Sequence, residues 1–217
     1  MTDANPKSPY HHGRLREAMV EAAVAIVAED GVEALTVREA ARRAGVSSGA
    51  PFRHFSGKPA LVAAVAEEGM GRLRAAIEAA LAGCASTHPL VRMQALGEAY
   101  LDWAMSHPTH YRVLGDRTQI DWAASEVLPR DNRWIREQML DLFAEARSDG
   151  LLREIDVAVL NLQTRAMAYG LARMFVDGHL GEFGIAPEQA KGALLGALRE
   201  FLIGCASDPA AARTALV

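Results

Sequence analysis

Cysteine is nearly absent: Cys84 and Cys205 are the two thiols among 217 residues, far apart and in no metal-type spacing. That excludes a disulfide framework and a zinc module, and it fits a reducing compartment. No apolar run approaches the roughly 20 residues needed to cross a bilayer, and the polar start of the chain has no signal-peptide core. The expectation is a cytoplasmic protein with no membrane partner. No segment alternates apolar and polar residues as a strand does, and β-branched residues are few, so no sheet is expected. H-E-x-x-H, paired E-x-x-H, CxxC, Walker and G-x-G-x-x-G patterns are all missing. Metallohydrolase, di-iron and nucleotide-binding chemistry therefore lack their minimum parts. No metal, no cofactor and no catalytic residue is expected.

A large charge excess of either sign is also missing, since the net charge is −4. It divides unevenly along the chain. Residues 1–60 hold eight Lys or Arg against seven Asp or Glu, a balance of +1 with three His besides, and the rest holds fifteen against twenty, a balance of −5. A polyanion admits the first part and repels the second, which orients the molecule on it.

Helical periodicity is what the chain does have. Half of the residues are hydrophobic and 23% are charged, a globular composition, and the expected fold class is all-α. A flexible arm over 1–12 precedes a first helix over about 14–30, with Met19, Ala22, Ala23 and Ile26 on one face. A long helix over about 57–82 exceeds what a small N-terminal head needs, so it must reach into a second domain. Pro89, Pro108, Pro129 and Pro187 punctuate the remainder of the chain. Helices are expected over about 90–106, 109–115, 131–149, 156–180 and 187–205, with a further piece near 120–128. Asp30-Gly31, Asp149-Gly150 and Asp177-Gly178 come at the ends of helical patterns and read as C-terminal caps rather than hairpin turns.

The run from Thr36 to Leu61 carries the function. Thr36 can cap a short helix whose apolar positions are Val37, Ala40, Ala41 and Ala44. Gly45 supplies the left-handed residue that ends it. Ser47 or Ser48 then caps a second short helix running through His54. Helix, glycine-containing turn and helix make a helix-turn-helix over 36–55, whose second helix enters a DNA major groove. Gly45-Val46-Ser47-Ser48-Gly49 matches the G-x-S-x-G nucleophile elbow, but that elbow needs a preceding strand, and here a helix precedes it.

The order of these elements resembles the tetracycline-repressor family of transcriptional regulators. The residues that carry the resemblance are Gly31, Leu35-Thr36, Ala44-Gly45-Val46-Ser47, Phe52 with Phe55, and Lys58 with Leu61. Tyr10-His11-His12-Gly13 and Gly49-Ala50-Pro51 further resemble a branch whose ligand domain is named for a Trp-His-Gly signature. The matching stretch here is Met167-Ala168-Tyr169-Gly170, which retains the Gly. The resemblance implies a DNA-binding domain over 13–73 and a ligand-binding and dimerisation domain over 74–217. This chain departs from the family at Pro51, where an aliphatic residue is usual, and at Phe52, where Tyr is usual.

Candidate DNA contacts are set by placement and charge. Arg38 and Arg42 share one helix face, whereas Arg43 points away. Thr36 and Lys58 stand at helix N-termini, where N–H groups and the dipole favour phosphate. Ser47, Ser48, Gly49 and Ala50 offer little reach beside Pro51, so Arg53 and His54 are left to read base edges. Phe52 cannot make a phenolic hydrogen bond, and a core position for it is an equal alternative.

In the body, Tyr100, Trp103, His107, Tyr111 and Trp134, with Phe143, Met167, Tyr169 and Met174, form a set of large adaptable side chains suited to an apolar ligand. An ordinary helical core is the competing account. In the last helix Ala193, Gly196, Ala197, Leu198 and Phe201 form a small-residue stripe expected at a twofold helix-bundle interface. The combined expectation is a homodimeric repressor that a small, largely apolar ligand releases from a palindromic operator. An all-α enzyme with a degenerate head and a ligand-independent DNA-binding protein are the alternatives.

Overall fold

The computed structural model describes residues 12–47 and 49–216. The arm expected over 1–12 lies outside them except for the backbone of His12, and so does Ser48. Regular structure in the described residues is helical apart from one isolated bridge between Leu152 and Ala206. The chain forms two compact units, one from residues up to Glu68 together with Thr109–Ser125, the other from Gly69–Pro108 and from Glu126 onward.

In the first unit α1 (His12–Asp30) buries Met19, Ala23 and Ile26. A 3-10 turn, Val32–Ala34, brings in Leu35, which is fully buried. In α2 (Val37–Arg43) the buried positions are Val37, Ala40 and Ala41. Phe55 and, on the long α3 (Lys58–Gly83), Leu61 and Val65 complete this core. Each such large side chain removed from water contributes roughly 1.5–3 kcal/mol. The short α5 (Pro108–Gly115) and the segment after it add Tyr111, Val113 and Ile120. Glu67 anchors that segment: its carboxylate accepts from Ser125 Oγ at 2.8 Å and from Arg16 Nη2 at 3.1 Å.

In the second unit α4 (Pro89–Ser106) is the central element, packed by α6 (Val127–Ser148), α7 (Val157–Val176) and α8 (Ala190–Cys205). Gly97 allows one of these approaches, because a Cβ there would lie 2.6 Å from Leu198 Cδ2. A further helix, α9 (Pro209–Ala215), packs on α8. It is absent from the helices expected from sequence, although Asp208 accepts from the Ala210 and Ala211 N–H groups and Pro209 opens it, both ordinary start signals.

Two boundaries differ from expectation. α6 starts at Val127, four residues before Asp131, because Pro129 falls in its first turn, where the missing N–H has no partner to lose. α7 stops at Val176, where the Asp177-Gly178 pair closes it with Gly178 at φ 77°, and a separate 3-10 turn, His179–Phe183, comes next. Residues 120–126 are not helical.

Candidate nucleic-acid interface

The Thr36 hydroxyl accepts from the Glu39 N–H at 3.0 Å and so starts α2 as its cap. One turn on, the Glu39 carboxylate takes two hydrogen bonds from Arg42, at 2.8 and 2.6 Å, and one from Arg43 at 3.1 Å. Those bonds, Arg42 first, hold the Glu39 carboxyl at about 2, far below the usual range. Arg43 turns back to Glu29 at 2.6 Å. Arg38 shares the exposed face with Arg42 but has no hydrogen-bond or ion-pair partner among the described residues. Among the described residues α2 therefore carries one cation without such a partner, Arg38, and two held by carboxylates, Arg42 and Arg43.

Gly45, at φ 66°, ends α2 and lets the Val46 N–H reach the Ala41 carbonyl at 3.0 Å. The second helix of the motif is not an α-helix. It is a turn through Gly49 and Ala50 followed by a 3-10 turn, Pro51–Arg53. Pro51 fixes its own φ and lacks an N–H. The bonds around it are short-range: Ala50 N to Ser47 O at 3.1 Å, His54 N to Pro51 O at 2.9 Å. Pro51 and Phe55 are buried, and the turn packs on both α1 and α2. Phe52, Arg53 and His54 are exposed. Phe52, left open between core and surface by the sequence, is 52% exposed, whereas Phe55 at 2% is core.

Lys58 opens α3, where its ammonium donates to the Glu33 carbonyl at 3.2 Å and lies 3.6 Å from the Glu33 carboxylate. Glu33 also accepts from Gln119 at 3.4 Å. The sequence pattern marks Lys58 at the helix start, as found, but carries no signal that pairs it with Glu33.

The second unit contains a groove of about 630 Å³ walled by α3 and α4. Ala75, Ala76 and Ala80 face Ala95 and Ala99 across it, with Arg72, Glu98, Asp102, Trp103, Ser106 and His107 on its walls. The Trp103 and His107 rings stack with centroids 6.0 Å apart, and Lys191 holds Asp102 at 2.8 Å. Of the nine pocket residues expected from sequence, Trp103 and His107 line this groove. Tyr111 belongs to the first unit. Phe143 is core, Trp134 lies under the Arg74 guanidinium at 4.8 Å, and Tyr169 is exposed. Tyr100, Met167 and Met174 are half-buried and do not line it. Glu98 and Asp102 are groove residues that sequence reasoning missed; their four-residue spacing on one helix face was the available signal.

On α8, Ala193, Gly196 and Phe201 are half-buried and Ala197 is exposed. Leu198, expected on the same stripe, is 2% exposed and packs inward over Gly97, so it belongs to the core of its own chain. α7 leaves Val159, Leu162 and Tyr169 exposed on its outer side.

Residues 19–65 match the model described as bacterial regulatory proteins, tetR family, and residues 93–198 match a tetracyclin repressor-like C-terminal domain. Neither description names a Trp-His-Gly branch. The chain is 28% identical over 163 residues to the HTH-type transcriptional regulator BetI of Cronobacter sakazakii, covering 75% of this chain and 76% of that one. It is 26% identical over 187 residues to the HTH-type transcriptional repressor KstR2 of Mycolicibacterium smegmatis, covering 80% and 85%. Among solved structures, a protein of unknown function from Rhodococcus sp. RHA1 is 30% identical with a TM-score of 0.75, covering 93% of this chain and all of that one.

Proposed function

Since the chain belongs to the tetracycline-repressor family and is a DNA-binding transcriptional regulator, we propose that it is a homodimeric repressor whose effector enters the α3–α4 groove. The head supplies phosphate contacts through Arg38, Lys58 and the N-terminus of α2 at Thr36, with Arg42 in reserve behind Glu39. The segment from Ser47 to His54 reads the bases. Repression draws support from the repressor named among the relatives.

The observation that carries the effector reading is the construction of α3. This single helix begins at Lys58 in the candidate DNA surface and contributes Arg72, Ala75, Ala76 and Ala80 to the groove. A ligand that displaces α3 acts on the element that carries Lys58. The alanines and Trp103 suit an apolar body, while Arg72, Glu98, Asp102 and His107 suit one polar end, so an amphipathic small molecule fits better than a wholly apolar one. A preference for one state of about 1–3 kcal/mol changes operator occupancy several-fold.

The dimer reading rests on the exposed Val159, Leu162 and Tyr169 of α7 together with the small residues Gly196 and Ala197 of α8, which packs on α7. Two copies paired through such faces would place two heads on half-sites about 34 Å apart.

The test is a titration of candidate effectors against both tryptophan fluorescence and operator affinity. A true effector must weaken DNA binding, and operator DNA must weaken effector binding by the same factor. Compounds that quench Trp103 yet leave operator affinity unchanged would overturn the groove as the effector site.

A further inference from the structure

Phe52 is the exposed large hydrophobic side chain of the first unit among the described residues, at 52%. Its setting makes that exposure specific. Pro51 and Phe55 on either side turn into the core and fix the 3-10 turn that carries it. The preceding residues, Ser47, Gly49 and Ala50, have side chains that extend little or not at all beyond Cβ. The phenyl ring is therefore the longest apolar group on the turn, and Arg53 and His54 come after it as exposed polar neighbours.

The ring can donate no hydrogen bond to a phosphate or to a base acceptor. On the major-groove edges of the four base pairs, the apolar feature is the C5-methyl of thymine, and Phe is among the side chains suited to contact it. We propose that Phe52 reads thymine methyl groups, making this regulator select half-sites by an apolar contact where a hydrogen-bonding residue would select by donor and acceptor pattern. The proposal rests on the DNA-binding reading of the head and specifies how the bases are told apart. Burial of one methyl against the ring predicts an effect of roughly four-fold in affinity for each thymine read.

The experiment uses the full chain and duplexes selected by it from a randomised pool. Each thymine of the selected duplex is replaced in turn by deoxyuridine, which removes the methyl and keeps the Watson–Crick pairing. The expected result is a roughly four-fold loss at one or two positions per half-site, with an unchanged salt dependence. In Phe52→Ala the same thymine and uracil duplexes should bind equally, and in Phe52→Tyr the difference should persist. The scan on the unaltered protein keeps the test independent of how the variants fold. A duplex bound equally well with every thymine replaced, or a selected half-site without thymine, overturns this proposal alone. Enrichment of no duplex at all overturns the DNA-binding reading and the proposal with it.

Discussion

The Arg74 guanidinium donates to the Asp131 carboxylate at 2.8 Å, tying α3 to α6 through a carboxylate whose side chain is 3% exposed. Burial pushes the Asp131 carboxyl up, but hydrogen bonds from Arg130 and Arg74 outweigh it and hold it below the usual range. A depressed carboxylate stabilises the fold fully above its unfolded value, near pH 4, and loses that contribution as pH falls through the folded one. Asp131→Asn should cost on the order of 2 kcal/mol, less than a fully buried pair because Arg74 is 29% exposed. Urea melts should show the gap to wild type at pH 6 and its narrowing below pH 4. A gap equal at pH 3 and pH 6 would exclude the charge as its source.

The two exposed arginines of α2 should differ on DNA. Arg38 has no partner among the described residues, whereas Arg42 is held twice by Glu39. Arg38→Ala should flatten the salt dependence of binding by about one unit per subunit, and Arg42→Ala by less. Glu39→Gln should release Arg42, raising affinity for random-sequence DNA and steepening that dependence. Equal slopes for all three variants would show that the Glu39 pairing does not compete with phosphate. The carboxyl of Glu39 at about 2 means this competition should not change between pH 6 and pH 8.

Gly97 and Leu198 should behave as one packing unit. A Cβ at Gly97 would fall 2.6 Å from Leu198 Cδ2, inside a core that leaves Leu198 2% exposed. Gly97→Val should cost about 1–3 kcal/mol by overpacking. Adding Leu198→Ala should recover part of that loss, giving a coupling of about 0.5 kcal/mol or more in a double-mutant cycle. Additive losses in denaturant melts would mean that the two positions do not share this space.

Local chemistry in the sequence carries the helix ends well. Thr36 caps α2, Gly45 ends it, and Asp177-Gly178 closes a helix, because each signal acts within four residues. The features that escape depend on partners distant along the chain. The Pro51 turn is 3-10 because burial of both Pro51 and Phe55 sets its path, which helical periodicity does not register. Thr109–Ser125 groups with the head through partners far along the chain, among them Ser125 donating to Glu67 across 58 positions. Of the aromatic set of the body, Trp103 lines the α3–α4 groove while Phe143 is core, because large apolar side chains serve cores and pockets alike. The close approach of α4 and α8 depends on Gly97 meeting Leu198, two positions about a hundred residues apart that no local pattern pairs.

The inward packing of Leu198 makes it a poor probe of the proposed dimer. Leu198→Glu puts a charge into the core of the chain itself, so any loss of assembly would be confounded by unfolding. Leu162 on α7 is 68% exposed, and a charge there costs the isolated chain little. If α7 and α8 form the interface, Leu162→Glu should yield a helical monomer with near-normal unfolding but much weaker operator binding, since one half-site supplies only part of the contact energy. Light scattering, circular dichroism and a mobility shift on the same sample separate these outcomes. A Leu162→Glu variant that remains dimeric at micromolar concentration would move the interface away from this face of α7.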